Sequence, residues 1–276
     1  MKLSIITISL NNISGLRLTA ESILEQTYDD YEWIVIDGGS HDGTREFLEA
    51  SNKNITFWCS EKDKGIYNAM NKGIARAKGD YILFLNSGDT LYRNTTLQEA
   101  LEKCNDYDIV YGDAMFMHKK GARRWVYDDI LTMKRMYEHS INHQSTFIKA
   151  SLLKLQGYDE SYHIAADWKR FVEWLKEGKT FKHIDIIIAN YDTTGLSTTN
   201  EDIAHAERDR FFKELYTTEV VDVLKDWLSF QNKPCILTRR FCNSNRLYRR
   251  LIRSNLHFIS WIDDLKKWVK RLYSKI

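Results

Sequence analysis

The chain has 276 residues, 43% of them hydrophobic and 28% charged, which suits one large folded core or a core with an appendage. A single proline, Pro234, leaves no proline-rich linker, no window approaches the ~18 uninterrupted apolar residues of a membrane span, and the opening residues 2–6 lack the long apolar stretch of a signal peptide. Cys59, Cys104, Cys235 and Cys242 include no close metal-ligand pair and no secreted disulfide framework, so a reducing cytosol is the expected setting. The net charge of +2 is unevenly spread: residues 220–276 carry thirteen Lys/Arg against four Asp/Glu, which leaves the remainder acidic.

In chain order, residues 3–10 read as a buried strand of aliphatic and β-branched side chains. Residues 14–26 read as a helix with Leu16, Ala20, Ile23 and Leu24 at helical spacing. Residues 33–36 form a second strand, 44–51 a helix and 55–58 a third strand. Residues 66–78 form a helix with Ile66, Ala69, Met70, Gly73 and Ile74 on one face, and 81–85 a fourth strand. Such alternation predicts parallel βαβ units and a sheet covered on both faces. In these sheets ligands sit beyond the carboxyl ends of the strands. The residues just past those ends are Ser9, Asn11, Asp37, Glu61, Asp63, Asn86 and Asp89, and their polarity predicts a binding site. Further on, residues 108–113, 123–127, 143–148 and 184–191 read as strands and 167–177 as an amphipathic helix burying Trp168, Phe171, Val172 and Leu175. From 200 onward the chain reads as helical, with a break at 232–234.

Three segments are able to carry chemistry. Asp37-Gly38-Gly39-Ser40 closes a strand, so Asp37 either bonds backbone amides in a tight turn or meets a nucleotide base or ribose. No Gly-x-Gly-x-x-Gly or Walker loop is present, which argues against a dinucleotide site and a P-loop. Asn86-Ser87-Gly88-Asp89 follows the most apolar strand; alone it is a turn, but among polar strand tips its carboxylate suits Mg²⁺ or Mn²⁺ and a departing diphosphate. Asp167 opens a helix beside Trp168 and Phe171, as a helix cap or as a general base whose burial is expected to raise its pKa. His143 either supports the structure or meets a ligand.

Taken in order, Ser4 through Asn11, Ser22-Ile23-Leu24-Glu25-Gln26-Thr27-Tyr28, Trp33 through Thr44, Ser60 through Gly73 and Gly79 through Asp89 resemble the family 2 glycosyltransferases. His143-Gln144-Ser145-Thr146-Phe147, Gly157-Tyr158-Asp159-Glu160 and Ala166-Asp167-Trp168 continue the pattern, which covers residues 2–197. The resemblance implies an α/β GT-A fold, a Rossmann-like, mostly parallel sheet flanked by helices. Its catalytic domain would span 1–200, with the nucleotide part over about 1–105 and the acceptor part over 106–200, followed by a helical basic extension over 201–276. It implies an inverting enzyme that uses a UDP-sugar donor, divalent Mn²⁺ or Mg²⁺, and a glycan or lipid-linked acceptor. Asp37, Asp63 and Lys64 would line the nucleotide pocket with Ser9, Asn11 and Asn86. Asp89 would hold the metal, Asp167 would be the catalytic base, and His143 would position acceptor or diphosphate. Ser197 would belong to a loop closing over the diphosphate. Two departures stand out: Leu10 replaces an aromatic that contacts the base, and the usual two-acid metal turn is reduced to Asp89 alone.

The last helix, read over 255–276, sets Phe258, Trp261, Ile262, Leu265, Trp268 and Leu272 against Lys266, Lys267, Lys270 and Arg271, as an interfacial helix does. This predicts peripheral attachment to an anionic membrane, on the inner face of the cytoplasmic membrane. The alternatives are packing on the catalytic domain or on a second copy in a homodimer; no nucleic-acid module accompanies the basic charge. Two rival functions stay open: a catalytically silent nucleotide-sugar-binding or scaffold protein, and a nucleotidyltransferase, whose phosphate loop is not visible.

Overall fold

All seven residues of β1 (Leu3–Ser9) are buried, as a central strand covered on both faces requires. The computed structural model of the protein describes residues 1–118, 121–193, 195 and 200–216. After β1 come α1 (Ile13–Leu24), β2 (Tyr31–Asp37), α2 (Thr44–Ala50), β3 (Phe57–Ser60), α3 (Ile66–Arg76) and β4 (Tyr81–Phe84). The second half contains β5 (Thr90–Leu91), α4 (Thr96–Leu101), β6 (Ile109–His118), β7 (Gly121–Trp125), α5 (Met133–Glu138), a 3₁₀ turn (His143–Ser145) and β8 (Thr146–Lys149). It ends with α6 (Ala150–Leu155), α7 (Ala166–Lys176), β9 (Phe181–Asp192) and α8 (Glu201–Leu215).

The strands form one sheet in the order β3-β2-β1-β4-β8-β6-β9-β5, with β7 on β6. β3, β2, β1 and β4 are mutually parallel, so their carboxyl ends share one edge. β8 runs antiparallel to both β4 and β6, and β9 returns parallel to β6 with register shifts around Asp113. The end of β9 therefore reaches the edge where β4 ends, and β5 pairs with β9 there through Thr90 and Asn190.

Helix α3 shows how closely the layers meet. It buries Tyr67, Ala69, Met70, Gly73 and Ile74. A methyl group placed on Gly73 would lie 2.5 Å from Ile6 Cγ2, so the helix seats on β1 only because that position has no side chain. At the opposite edge, buried Glu32 accepts from Ser4 Oγ at 2.6 Å, from the Gly79 N–H at 3.1 Å and from the Lys78 N–H. A carboxylate is tolerated there because donors replace the water it lost.

The strand expected over 143–148 starts as a turn instead. Asn142 carbonyl accepts both the Ser145 N–H at 3.1 Å and Thr146 Oγ1 at 2.7 Å, which satisfies a polar run that a strand would leave half paired. Only Thr146–Lys149 remains to pair. The four short elements β5, α4, α5 and α6 have two to six residues each, too few for periodicity to reveal. Met1–Leu215 forms one compact unit that includes α8. Phe211 and Phe212 of α8 pack on Trp168 of α7. The helix read over 255–276 lies outside the described residues.

Candidate active site

At the carboxyl edge, short side chains tie the strand tips together. Asn11, with φ +50°, donates its N–H to Ser40 Oγ at 2.7 Å and accepts the His41 N–H on Oδ1 at 3.0 Å. Asn12 caps α1 by accepting the Gly15 N–H, while its Nδ2 donates to the Ser87 carbonyl at 3.0 Å, so it joins the tips of β1 and β4. Asp37 is fully buried, and its oxygens accept from the Ser40 N–H (3.0 Å), Ser40 Oγ (2.5 Å) and Ser60 Oγ (2.6 Å). It therefore holds the Gly38–Gly39–Ser40 rim from beneath.

Asp63 faces the same rim. Lys72 Nζ donates to its Oδ1 at 2.7 Å, and a methyl on Gly38 would meet its Oδ2 at 3.1 Å and Leu10 Cδ1 at 3.2 Å. Exposed Leu10 thus lays apolar surface over the rim, where the resemblance expects an aromatic. Lys64 is exposed, with its N–H on Asn68 Oδ1 at 3.2 Å. Ser9 is buried, and its Oγ has no hydrogen-bond partner among the described residues. Ser197 lies outside the described residues.

Past β4, Asp89 is buried and accepts the Asp192 N–H on Oδ1 at 2.9 Å, with the Gln144 side chain beside it. Burial pushes its carboxyl up to about 6, against the Asp192 N–H, His143 and Gln144, and the Asp192 charge adds to the rise. Gly88 has φ +106°, and a methyl on it would lie 2.9 Å from Asp192 Oδ2. Asp192 thus occupies the space where a two-acid turn would carry its other side chain. The strand-tip rule that selects Asp89 also points to Asp192 once it is extended to the strand read over 184–191. No cluster of three or more His, Cys, Asp or Glu able to hold a metal occurs among the described residues. The two carboxylates still fit a hard divalent cation, which takes one or two acids and completes its shell with phosphate and water.

Asp167 lies in the first turn of α7, where helix N–H groups favour an anion. His143 Nδ1 is 2.8 Å from its Oδ2; the Tyr67 hydroxyl, at 2.9 Å, and the Trp168 N–H, at 2.8 Å, donate to Oδ1. Burial works to raise this carboxyl, but the His143 ring, the Trp168 N–H and the Tyr67 hydroxyl outweigh it and hold Asp167 below the usual carboxylate range. The expected rise is overturned, because burial is legible in sequence and the three donors are not. Tyr67 also lies 2.5 Å from the Ile164 carbonyl, so one hydroxyl proton serves two acceptors.

Asn86 Nδ2 donates to His143 Nε2 at 3.0 Å, which leaves the ring proton on Nδ1 for Asp167. Both ring nitrogens are therefore engaged by protein. From α8, Glu207 accepts the N–H groups of His163 (2.5 Å), Ile164 (3.0 Å) and Ala165 (2.9 Å), fixing the loop that leads into α7. His143 thus bonds Asp167, and the next residue, Gln144, lies beside Asp89.

A mostly parallel half-sheet with carboxylates gathered at its carboxyl edge, and a further carboxylate, Asp167, on a neighbouring helix, fits a group-transfer enzyme of the α/β class. Comparison with known proteins gives the class its name. Residues 4–166 match the model of glycosyl transferase family 2. An uncharacterised glycosyltransferase of Mycobacterium tuberculosis is 33% identical over 210 residues, 72% of this chain and 78% of that protein. A PGL/p-HBAD biosynthesis glycosyltransferase of Mycobacterium bovis is 29% identical, covering 81% of this chain and 90% of that protein. Among solved structures, S. aureus TarS 1-349 in complex with UDP superposes with a TM-score of 0.58 at 18% identity, over 78% of this chain and 70% of that one. The mannosyltransferase PcManGT from Pyrobaculum calidifontis, in complex with GDP-Man and Mn²⁺, gives 0.60 at 14% identity, over 93% and 79%. The chain belongs to glycosyl transferase family 2 and is a glycosyltransferase of GT-A fold.

Proposed function

We propose that the enzyme moves a sugar, with inversion, from a UDP-sugar to a hydroxyl of a glycan or lipid-linked acceptor. The observation that carries this reading is Asp167, held by His143 at 2.8 Å as a carboxylate suited to a base, with Gln144, the residue after His143, beside Asp89, a carboxylate suited to a metal. Support for the donor class comes from the solved relatives, one in complex with UDP and another with GDP-Man and Mn²⁺. Support for an envelope acceptor comes from the relative named for PGL/p-HBAD biosynthesis.

In this reading Ser9, Asn11, Asp63, Lys64 and the rim held by Asp37 take the nucleotide, and exposed Leu10 packs on its base. Asp89 and Asp192 would hold a divalent ion, which supplies positive charge to the leaving diphosphate. Asp167 accepts the acceptor hydroxyl proton as the oxygen attacks the anomeric carbon. Three donors fill Oδ1 twice and Oδ2 once, so Oδ2 keeps a lone pair for that proton. His143 and Tyr67 fix the carboxylate so that little reorganisation is needed at the moment of attack. The basic charge beyond residue 220 supports peripheral attachment to an anionic membrane.

The test is a thermal-shift screen of nucleotide sugars with and without Mn²⁺, followed by transfer assays. Asp167→Asn is expected to keep donor binding and lose turnover by roughly 10²–10⁴-fold, the usual contribution of a general base. Unchanged turnover in that variant removes the base assignment.

A further inference from the structure

Among the described residues, Arg208 of α8 has no ion-pair or hydrogen-bond partner for its guanidinium. Its Nε is buried and has no hydrogen-bond partner, and among the described residues no carboxylate, carbonyl or hydroxyl bonds its guanidinium. Its Cζ stands 5.2 Å from the ring centroid of Trp168, the residue after Asp167. Other arginines around α7 and α8 are paired. Arg170 donates to Glu173 and to the Gln156 carbonyl at 2.7 Å, and Arg210 reaches Ser161 while stacking on Tyr162.

A guanidinium presents five donors in a fixed fork that matches carboxylate and phosphate oxygens. Removing such a group from water without a counter-ion is costly, and stacking on an indole offsets only part of that cost. Asp167 does not complete the pair, because its hydrogen bonds come from His143, Tyr67 and Trp168. Burial lowers the proton affinity of Arg208, while the charge of Asp167 opposes that effect, so the guanidinium lies within the field of Asp167. Glu207 is committed to three backbone amides and does not neutralise it.

We propose that Arg208 is an anion subsite beside the base, and that it binds a phosphate or carboxylate group carried by the acceptor. The ligand chemistry is an anionic oxygen group presented to a fork next to Trp168, on the Asp167 side of the site and not on the Asp89 side. This rests on the reading that Asp167 faces the acceptor. The subsite selects acceptors that bear a negative group near the reacting hydroxyl, and that group supplies a counter-ion that Arg208 lacks among the described residues.

The experiment uses the full chain at constant ionic strength, so that binding to the basic C-terminal stretch is the same in every sample. Thermal shift is titrated with inorganic phosphate, with glucuronate and, separately, with UDP plus Mn²⁺, for wild type, Arg208→Gln and Arg208→Lys. Arg208→Gln should weaken phosphate or glucuronate at least tenfold and leave UDP unchanged. Arg208→Lys, which keeps the charge and loses the fork, should fall between. A stronger effect on phosphate identifies a phosphorylated acceptor, and a stronger effect on glucuronate identifies a uronic acid. Equal phosphate and glucuronate affinity in all three proteins overturns the subsite. A matching loss of UDP affinity also overturns it, because the fork then belongs to the donor diphosphate. Should Arg208→Gln fail to fold, Arg208→Lys carries the same comparison. Failure of wild type to bind UDP or any other nucleotide sugar counts against the transferase reading itself and is seen separately from the phosphate arm.

Discussion

His143 Nδ1 stands 2.8 Å from Asp167 Oδ2, and the next residue, Gln144, lies beside Asp89. One short turn thereby lies against two carboxylates that come from distant parts of the chain. The consequence for Asp167 is directional. With His143 first among its favourable partners, Asp167 stays ionised below the usual carboxylate range, so the acid limb of kcat/KM should lie below that range. His143→Ala removes that partner and leaves burial in control, so the limb should move to higher pH while kcat falls by roughly 10²-fold. His143→Gln, which can still donate to Oδ2, should recover part of both. A limb that stays in place in His143→Ala would show that the ring has no hold on the base.

Asp89 behaves in the opposite sense. Its carboxyl is raised from 3.8 to about 6 by burial, so the folded protein holds that proton more tightly than the unfolded chain does. The group is neutral in both states below about pH 4, loses stability for the fold as pH rises towards about 6, and costs a constant amount above that. At roughly 1.4 kcal/mol per unit, this amounts to about 1–3 kcal/mol at neutral pH. Asp89→Asn should therefore make the metal-free protein more stable than wild type at pH 7, with the difference vanishing near pH 4. Denaturant unfolding in EDTA at the two pH values measures it. The same variant should lose transfer activity, a trade of function for stability that is common at active sites.

The carboxylate at the end of β9 gives a third expectation. Asp192 Oδ2 lies 2.9 Å from where a methyl on Gly88 would stand, so it takes the place of the acid that the turn after β4 lacks. Asp192→Asn keeps the N–H that bonds Asp89 and removes only the charge. Mn²⁺ affinity in the presence of UDP, followed by the loss of free-ion EPR signal, should drop roughly 10–100-fold, the scale of losing a ligand or its close support. An unchanged affinity would leave Asp89 as the sole acid at that turn.

Much of this is legible in the sequence. The strands from Leu3 to Phe84 are marked by short runs rich in aliphatic, aromatic and β-branched residues, and the polar residues after them mark the edge where the candidate site lies. Asp89 and Asp167 are picked out by that logic together with the family resemblance. The supports were not legible. Tyr67 and His143 reach Asp167, Asn86 reaches His143, and Glu207 reaches the loop before α7, all from separate parts of the chain, and no local pattern announces which side chains will converge. Arg208 is hidden for the same reason, since its lack of a partner is a property of packing and not of spacing. Asp37 shows the reverse limit. Its place in the sequence suggests a ligand contact, while Ser40 and Ser60 already occupy its oxygens.

Glu207 tests how rigidly the base loop is held. Its Oε1 accepts the His163 N–H, and its Oε2 accepts those of Ile164 and Ala165, all three next to the turn that presents Asp167. Glu207→Ala leaves these amides without their acceptor, and a charged acceptor bond is worth about 1.5–3 kcal/mol, so a total loss of roughly 2–4 kcal/mol is expected after partial rescue by water. Glu207→Gln can seat its single carbonyl oxygen where Oε2 was and keep two of the three bonds, so its loss should be nearer 1 kcal/mol. The Ile164 carbonyl shares the Tyr67 proton with Asp167, so loosening this loop should also disturb the base. The expected order for both stability in urea and kcat is wild type, then Glu207→Gln, then Glu207→Ala, with UDP affinity nearly constant. A stability loss without any change in kcat would separate the loop from the base and reduce Glu207 to a structural clamp.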